Sequence, residues 1–196
     1  VTAEIATRLG HANAALRPLL KPVLANEQIP AIQRYQLAMP YVFTTCLYNS
    51  AVWNWLNKTA HRKLHAGIMR IYRRIANMTV KQTRDEHFTD MQVLVSLGAL
   101  TIDEHLSIAR LRYIARALVR APTVLWALIQ QSSFYENSWA KMLFRDFTWI
   151  HENTKYDVTL PVPANDTTNI NIWLSWIAGN PQAWKNGIAQ AAEVAV

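Results

Sequence analysis

One cysteine, Cys46, in 196 residues excludes an internal disulfide and any cysteine-rich zinc site, and it suits a reducing, intracellular compartment. Glycine is equally scarce, five residues in all, and none belongs to a phosphate-cradling loop. No GxSxG, HExxH or paired CxxC motif occurs, so serine-hydrolase and zinc-peptidase chemistry have no seat here. The adjacent acids Asp85 with Glu86 and Asp103 with Glu104 stand at expected helix starts, where capping accounts for them. His61 and His65 are four apart on a helical pattern, but Arg62 and Lys63 between them repel a cation and no carboxylate lies near in sequence. These absences predict a chain that is not an enzyme, with no cofactor and no metal. Cys46 is expected to be a buried, inert thiol, because no base or cation flanks it to lower its pKa.

Long apolar runs are missing too. The nearest, LAMPYVFTTCLYNSAVWNWL at 37 to 56, is interrupted by Pro, Thr, Asn and Ser, and no membrane span is expected. The opening VTAEIATRLG includes Glu4 and has no long apolar core, so a signal peptide is not expected there.

What the chain does have is hydrophobic content, 51%, and positive charge, 20 Lys plus Arg against 13 Asp plus Glu. The first is ample for a buried core. The second gives +7, with a pI near 9.8, and favours acidic partners.

Helical periodicity dominates, and no alternating strand pattern longer than a few residues appears. A first helix is expected from about Thr2 to Val23, with Ile5, Leu9, Ala12, Leu16, Leu19 and Val23 on one side and a bend or end at Pro18 and Pro22. A second should start near Pro30 and run toward Trp55, with Leu37, Tyr41, Tyr48, Val52 and Trp55 in register and a kink at Pro40. Residues 57 to 78 form the third. Leu64, Ile68, Ile71, Ile75 and Met78 draw its apolar stripe, and Asn57 or Thr59 caps it. Lys63, Arg70 and Arg74, with Arg62 and Arg73 beside them, put five positive charges and no negative one on another face.

A polar link, TVKQTRDEH, precedes a short helix from Thr89 to Leu97, stopped by Gly98 in a left-handed cap. Thr101 and Glu104 form an S/T-x-x-E capping box. The helix that follows puts Ser107, Leu111, Ile114 and Leu118 on one face. Arg112, Arg116 and Arg120 line another at intervals of four, near Arg110. Arginines so spaced stand about 6 Å apart along the axis and can follow a phosphate backbone.

Pro122 restarts a helix, TVLWALIQQ, apolar nearly all round and so expected to be buried. Glu136 to Glu152 follows, with Trp139, Leu143, Phe147 and Ile150 inward. The eight tryptophans read mainly as core, with Trp53 and Trp55, and Trp173 and Trp176, as pairs that could stack on bases. The expected fold is all-α, an irregular multi-helix bundle over 1–152, an extended linker over 153–169 and a Trp-rich helical tail over 170–196. Trp173, Trp176 and Trp184 in that tail are the candidate partner-docking residues.

The order EIATRLGHANAALRPLL, IPAIQRYQLAMPYVFTTCLYNSAVWNW and LNKTAHRKLHAGIMRIYRRIANM resembles the region just after the palm of non-LTR (LINE-type) retrotransposon reverse transcriptases. There the pattern is Glu-Ile, an Arg and a run of alanines, then Leu-Tyr-Gly with a Trp a few residues on, then a helix ending in Leu-Arg-Arg-Ile. Glu4, Ile5, Arg8, Ala12, Ala14, Ala15, Leu47, Tyr48, Trp53, Tyr72, Arg73, Arg74 and Ile75 stand in those places, with Asn49 where the family has Gly. IARLRYIARALVRAPTVLWALIQ is similar to the arginine-rich helix that follows in many such elements. The resemblance spans residues 1 to 130 and includes no catalytic motif.

It implies a thumb and connection that hold a template and primer duplex, without the palm's Tyr-x-Asp-Asp, so magnesium and nucleotide binding do not carry over. The expected function is a non-catalytic module gripping RNA or DNA backbone through Arg62, Lys63, Arg70, Arg73, Arg74, Arg110, Arg112, Arg116 and Arg120. The alternative is a retroelement-derived structural subunit with protein partners in a larger assembly, such as a ribonucleoprotein, an organellar ribosome or a membrane complex.

Overall fold

The computed structural model describes residues 2–78, 88–154, 159–162 and 168–196. The polar link expected at 79–87 and much of the linker expected at 153–169 lie outside them. Among the described residues there are nine α-helices and no strand. None of these helices is long and apolar enough to cross a membrane. Contacts group the chain into two compact units rather than by the three-part division expected from composition. One comprises Val1–Tyr48 and Leu56–Ile102 with Val196, the other Asn49–Trp55 and Asp103–Ala195.

In the first unit, α1 (Thr2–Leu16), α2 (Ala31–Cys46), α3 (Lys58–Ile75) and α4 (Asp90–Leu97) pack on one another. α1 is shorter than its apolar pattern. Pro18 turns the chain into a 3-10 segment, Arg17–Leu19, and a π segment, Leu20–Leu24, follows. The Asn57 side chain caps α3 by accepting from the Ala60 amide at 2.8 Å. At its other end Asn77, at φ 61°, lets Met78 N–H donate to Arg73 O and Asn77 N–H to Arg74 O, a Schellman termination. Thr89 and Gln92 form a full capping box on α4, and Gly98 ends it at φ 57° as expected.

α2 departs from its expected register. Leu37, Tyr41, Tyr48, Val52 and Trp55 are all exposed, and α2 itself ends at Cys46. Its inner face is Arg34, Ala38, Met39, Val42 and Cys46. Small residues there let α1 come close, with Ala12, Ala38 and Cys46 all fully buried. Arg34 can sit inside because its Nη1 donates to Leu24 O at 3.0 Å. Burial pushes the Cys46 thiol up to about 11, against the opposing pull of Arg8.

The second unit holds the remainder of α5 (Ile102–Arg120), then α6 (Thr123–Ser132), α7 (Trp139–Asn153), α8 (Thr168–Gly179) and α9 (Pro181–Val194). Its core is aromatic. Phe147 stacks on Trp173 at 4.4 Å, and Trp184 meets both edge-on. The Trp184 indole N–H donates to Leu111 O at 3.0 Å, tying α9 to α5. α6, expected to be buried because it is apolar nearly all round, has no buried residue. Its principal neighbour is α7, so Val124 and Leu128 remain exposed.

Candidate nucleic-acid interface

α3 sorts its residues by side. Leu64, Ile68, Met69, Ile71, Tyr72 and Ile75 are buried, while Arg62, Lys63, Arg70 and Arg74 are exposed. At 3.6 residues per turn those four cations fall within about a third of the helix circumference. Lys63 Nζ donates to Thr2 O and Arg74 Nη1 to Asn13 Oδ1, each at 3.4 Å. Both acceptors are neutral, so neither charge is cancelled. Among the described residues no carboxylate forms an ion pair with any of the four.

Arg73 leaves the expected set. It is half-buried, and its Nη2 is bound to the Asp90 carboxylate on α4, whose other oxygen lies 3.7 Å from His65 Nε2. That clip fastens α3 to α4. His65 is therefore occupied with packing, and among the described residues no group of three or more metal-ligating side chains exists.

On α5, Arg112, Arg116 and Arg120 are exposed in a row, and strongly exposed Val119 shares their side of the helix. Arg110 is a correction to the sequence reading. Its Nε and Nη2 donate to the two oxygens of Asp146 at 2.5 and 2.8 Å, with both residues buried between α5 and α7. No phosphate can reach it. Burial pushes the Asp146 carboxyl above the ordinary carboxylate range, against the hydrogen bonds from Arg110 and Ser107. Sequence reasoning overlooked Asp146. The one available signal was that Arg110 falls off the four-residue rhythm of its neighbours.

The tryptophans are corrected likewise. Trp173 and Trp184 are 1% exposed and form the core of their own unit, so neither is free to dock on a partner, and Trp176 is half-buried edge-on to Trp184. Trp55 is 41% exposed and lies under the Arg145 guanidinium, 4.5 Å from its ring centroid.

Charge divides unequally. The first unit contains twelve lysines and arginines against five carboxylates, the second eight against eight, so the whole excess of +7 belongs to the first. The α3 row thus sits in a positive field and the α5 row in a neutral unit. Comparison with models of protein families, with characterised proteins and with solved structures finds no match.

Proposed function

We propose that the chain is a non-catalytic helical module that holds nucleic-acid backbone on the exposed face of α3, as a thumb-like region of a non-LTR retroelement reverse transcriptase would. The observation that carries this is the group Arg62, Lys63, Arg70 and Arg74, exposed together, unneutralised among the described residues, on the unit that holds all of the chain's excess charge. Arg112, Arg116 and Arg120 are a second, weaker row. Contacts of this kind neutralise phosphates and carry little sequence preference.

The resemblance gains one physical support. Asn49 stands where the family has Gly, and its φ is 56°, a conformation that Gly and Asn adopt at least cost.

Changing Arg62, Arg70 and Arg74 together to Gln should weaken binding to an RNA/DNA duplex about 30-fold, from three exposed charge contacts at roughly 0.7 kcal/mol each. Helicity by circular dichroism should not change, because all three side chains point to solvent. Unaltered affinity at moderate salt would leave the row a solvated face.

A structural subunit of a larger assembly is the second reading, and α6 favours it. Val124 at 69% and Leu128 at 57% exposure form an uncharged apolar surface that an isolated chain leaves in water. Val124→Lys with Leu128→Lys should abolish concentration-dependent association in sedimentation while sparing duplex binding. Association that persists in the double variant would remove this reading.

A further inference from the structure

The α3 face has a neighbour whose register can be read residue by residue. Lys63 reaches Thr2, the two methyl groups of Leu9 occupy the space where a Cβ on Gly67 would fall, 2.4 and 2.6 Å from it, and Arg74 reaches Asn13. Residue numbers rise together on both helices, so α1 and α3 run parallel and side by side. The contact extends over eleven residues of each, about 16 Å at 1.5 Å of rise per residue. Glycine at 67 is what permits the approach.

Asn13 Nδ2 donates to Leu9 O at 2.8 Å, which turns its carbonyl oxygen toward Arg74. The chain keeps right-handed helical geometry through Leu16, at φ −76° and ψ −19°. Arg17, four residues beyond Asn13, therefore lies one turn further along the side of α1 that flanks α3, and it is exposed. The first unit's described carboxylates do not compete for it there. Glu4 is bound by Arg8 and Asp90 by Arg73, while Glu27 lies beyond the π segment.

We infer that α1 is the second wall of the proposed site: Arg17 is a further phosphate contact, Asn13 positions Arg74, and the two-helix surface takes a run of consecutive phosphates on one nucleic-acid strand rather than a single phosphate group. This rests on the reading of the α3 face given above. The cations from Lys63 to Arg17 stretch beyond 16 Å, several times the size of one phosphate, and hold no acidic interruption among the described residues.

The test titrates the full chain against a fluorescent RNA/DNA duplex at several salt concentrations, for the native protein, Arg17→Gln, the Arg62, Arg70 and Arg74 triple variant, and Lys185→Gln. Lys185 is an exposed cation of the second unit and controls for loss of one charge. Arg17→Gln should lower the slope of log affinity against log salt by about 0.9 and weaken binding about threefold, with Lys185→Gln near native. Equal, small effects from Arg17→Gln and Lys185→Gln would overturn the inference while the triple variant still loses affinity. A triple variant that also matches the control would sink the underlying reading instead. Inorganic phosphate competing as well as duplex, per phosphate, would overturn the strand assignment. Dependence on Arg17 for phosphatidylserine vesicles but not for duplex would reassign the surface to a membrane and overturn it too.

Discussion

Arg110 and Arg112 are two residues apart on one helix, yet one closes a buried ion pair and the other faces solvent. Sequence type cannot separate them; the carboxylate of Asp146 does. Asp146→Ala would leave a guanidinium buried without a counter-charge, so it should cost about 3–5 kcal/mol in urea unfolding, whereas Arg112→Ala should cost less than about 0.5. Equal, small losses would mean the pair contributes little to α5–α7 packing. His105 offers a pH test. Burial first, and the Arg112 charge second, lower its pKa from 6.5 to about 4. The unfolded chain therefore takes up a proton that the folded chain refuses. Stability should be full above pH 6.5 and fall as pH drops toward 4, by up to about 3 kcal/mol at 1.36 kcal/mol per pKa unit. His105→Gln should flatten that limb in thermal melts across this range, and an unaltered slope would assign the limb to other groups.

Among the elements, α3 was legible and α2 was not. In α3 the large apolar residues are the buried ones, so a stripe of Leu64, Ile68, Ile71 and Ile75 read from spacing coincides with the inner face. In α2 size misled: its tyrosines and leucine look outward, and its inner face is built from Ala38, Cys46 and an arginine satisfied by a backbone carbonyl. Close helix approach selects for small residues, and a hydropathy pattern does not register that. α6 failed for another reason, since being apolar all round predicts burial only when a second element is there to cover it. The same close approach gives the test at this scale. Gly67→Val should collide with Leu9 and cost about 2 kcal/mol. Adding Leu9→Ala should restore part of it, so the double variant is more stable than the two single losses predict by at least about 1 kcal/mol. Strict additivity would place the α1–α3 contact elsewhere.

For the whole molecule, the candidate site was half legible. The α3 cations stood out because a run from Arg62 to Arg74 holds no acid. Arg73 and Arg110 could not be excluded from sequence, because the carboxylates that neutralise them lie 17 and 36 residues away. The concentration of all net charge in one unit was likewise invisible until the contacts divided the chain near Ile102. That asymmetry is the central claim: one unit carries the grip on polyanion and the other is electrically neutral. Salt dependence of duplex binding by the intact chain tests it most directly. Four or five phosphates neutralised by Arg62, Lys63, Arg70, Arg74 and Arg17 predict a slope of log affinity against log salt of about −3.5 to −4.5. A slope near zero, or a steep one that survives replacement of all five, would contradict the account.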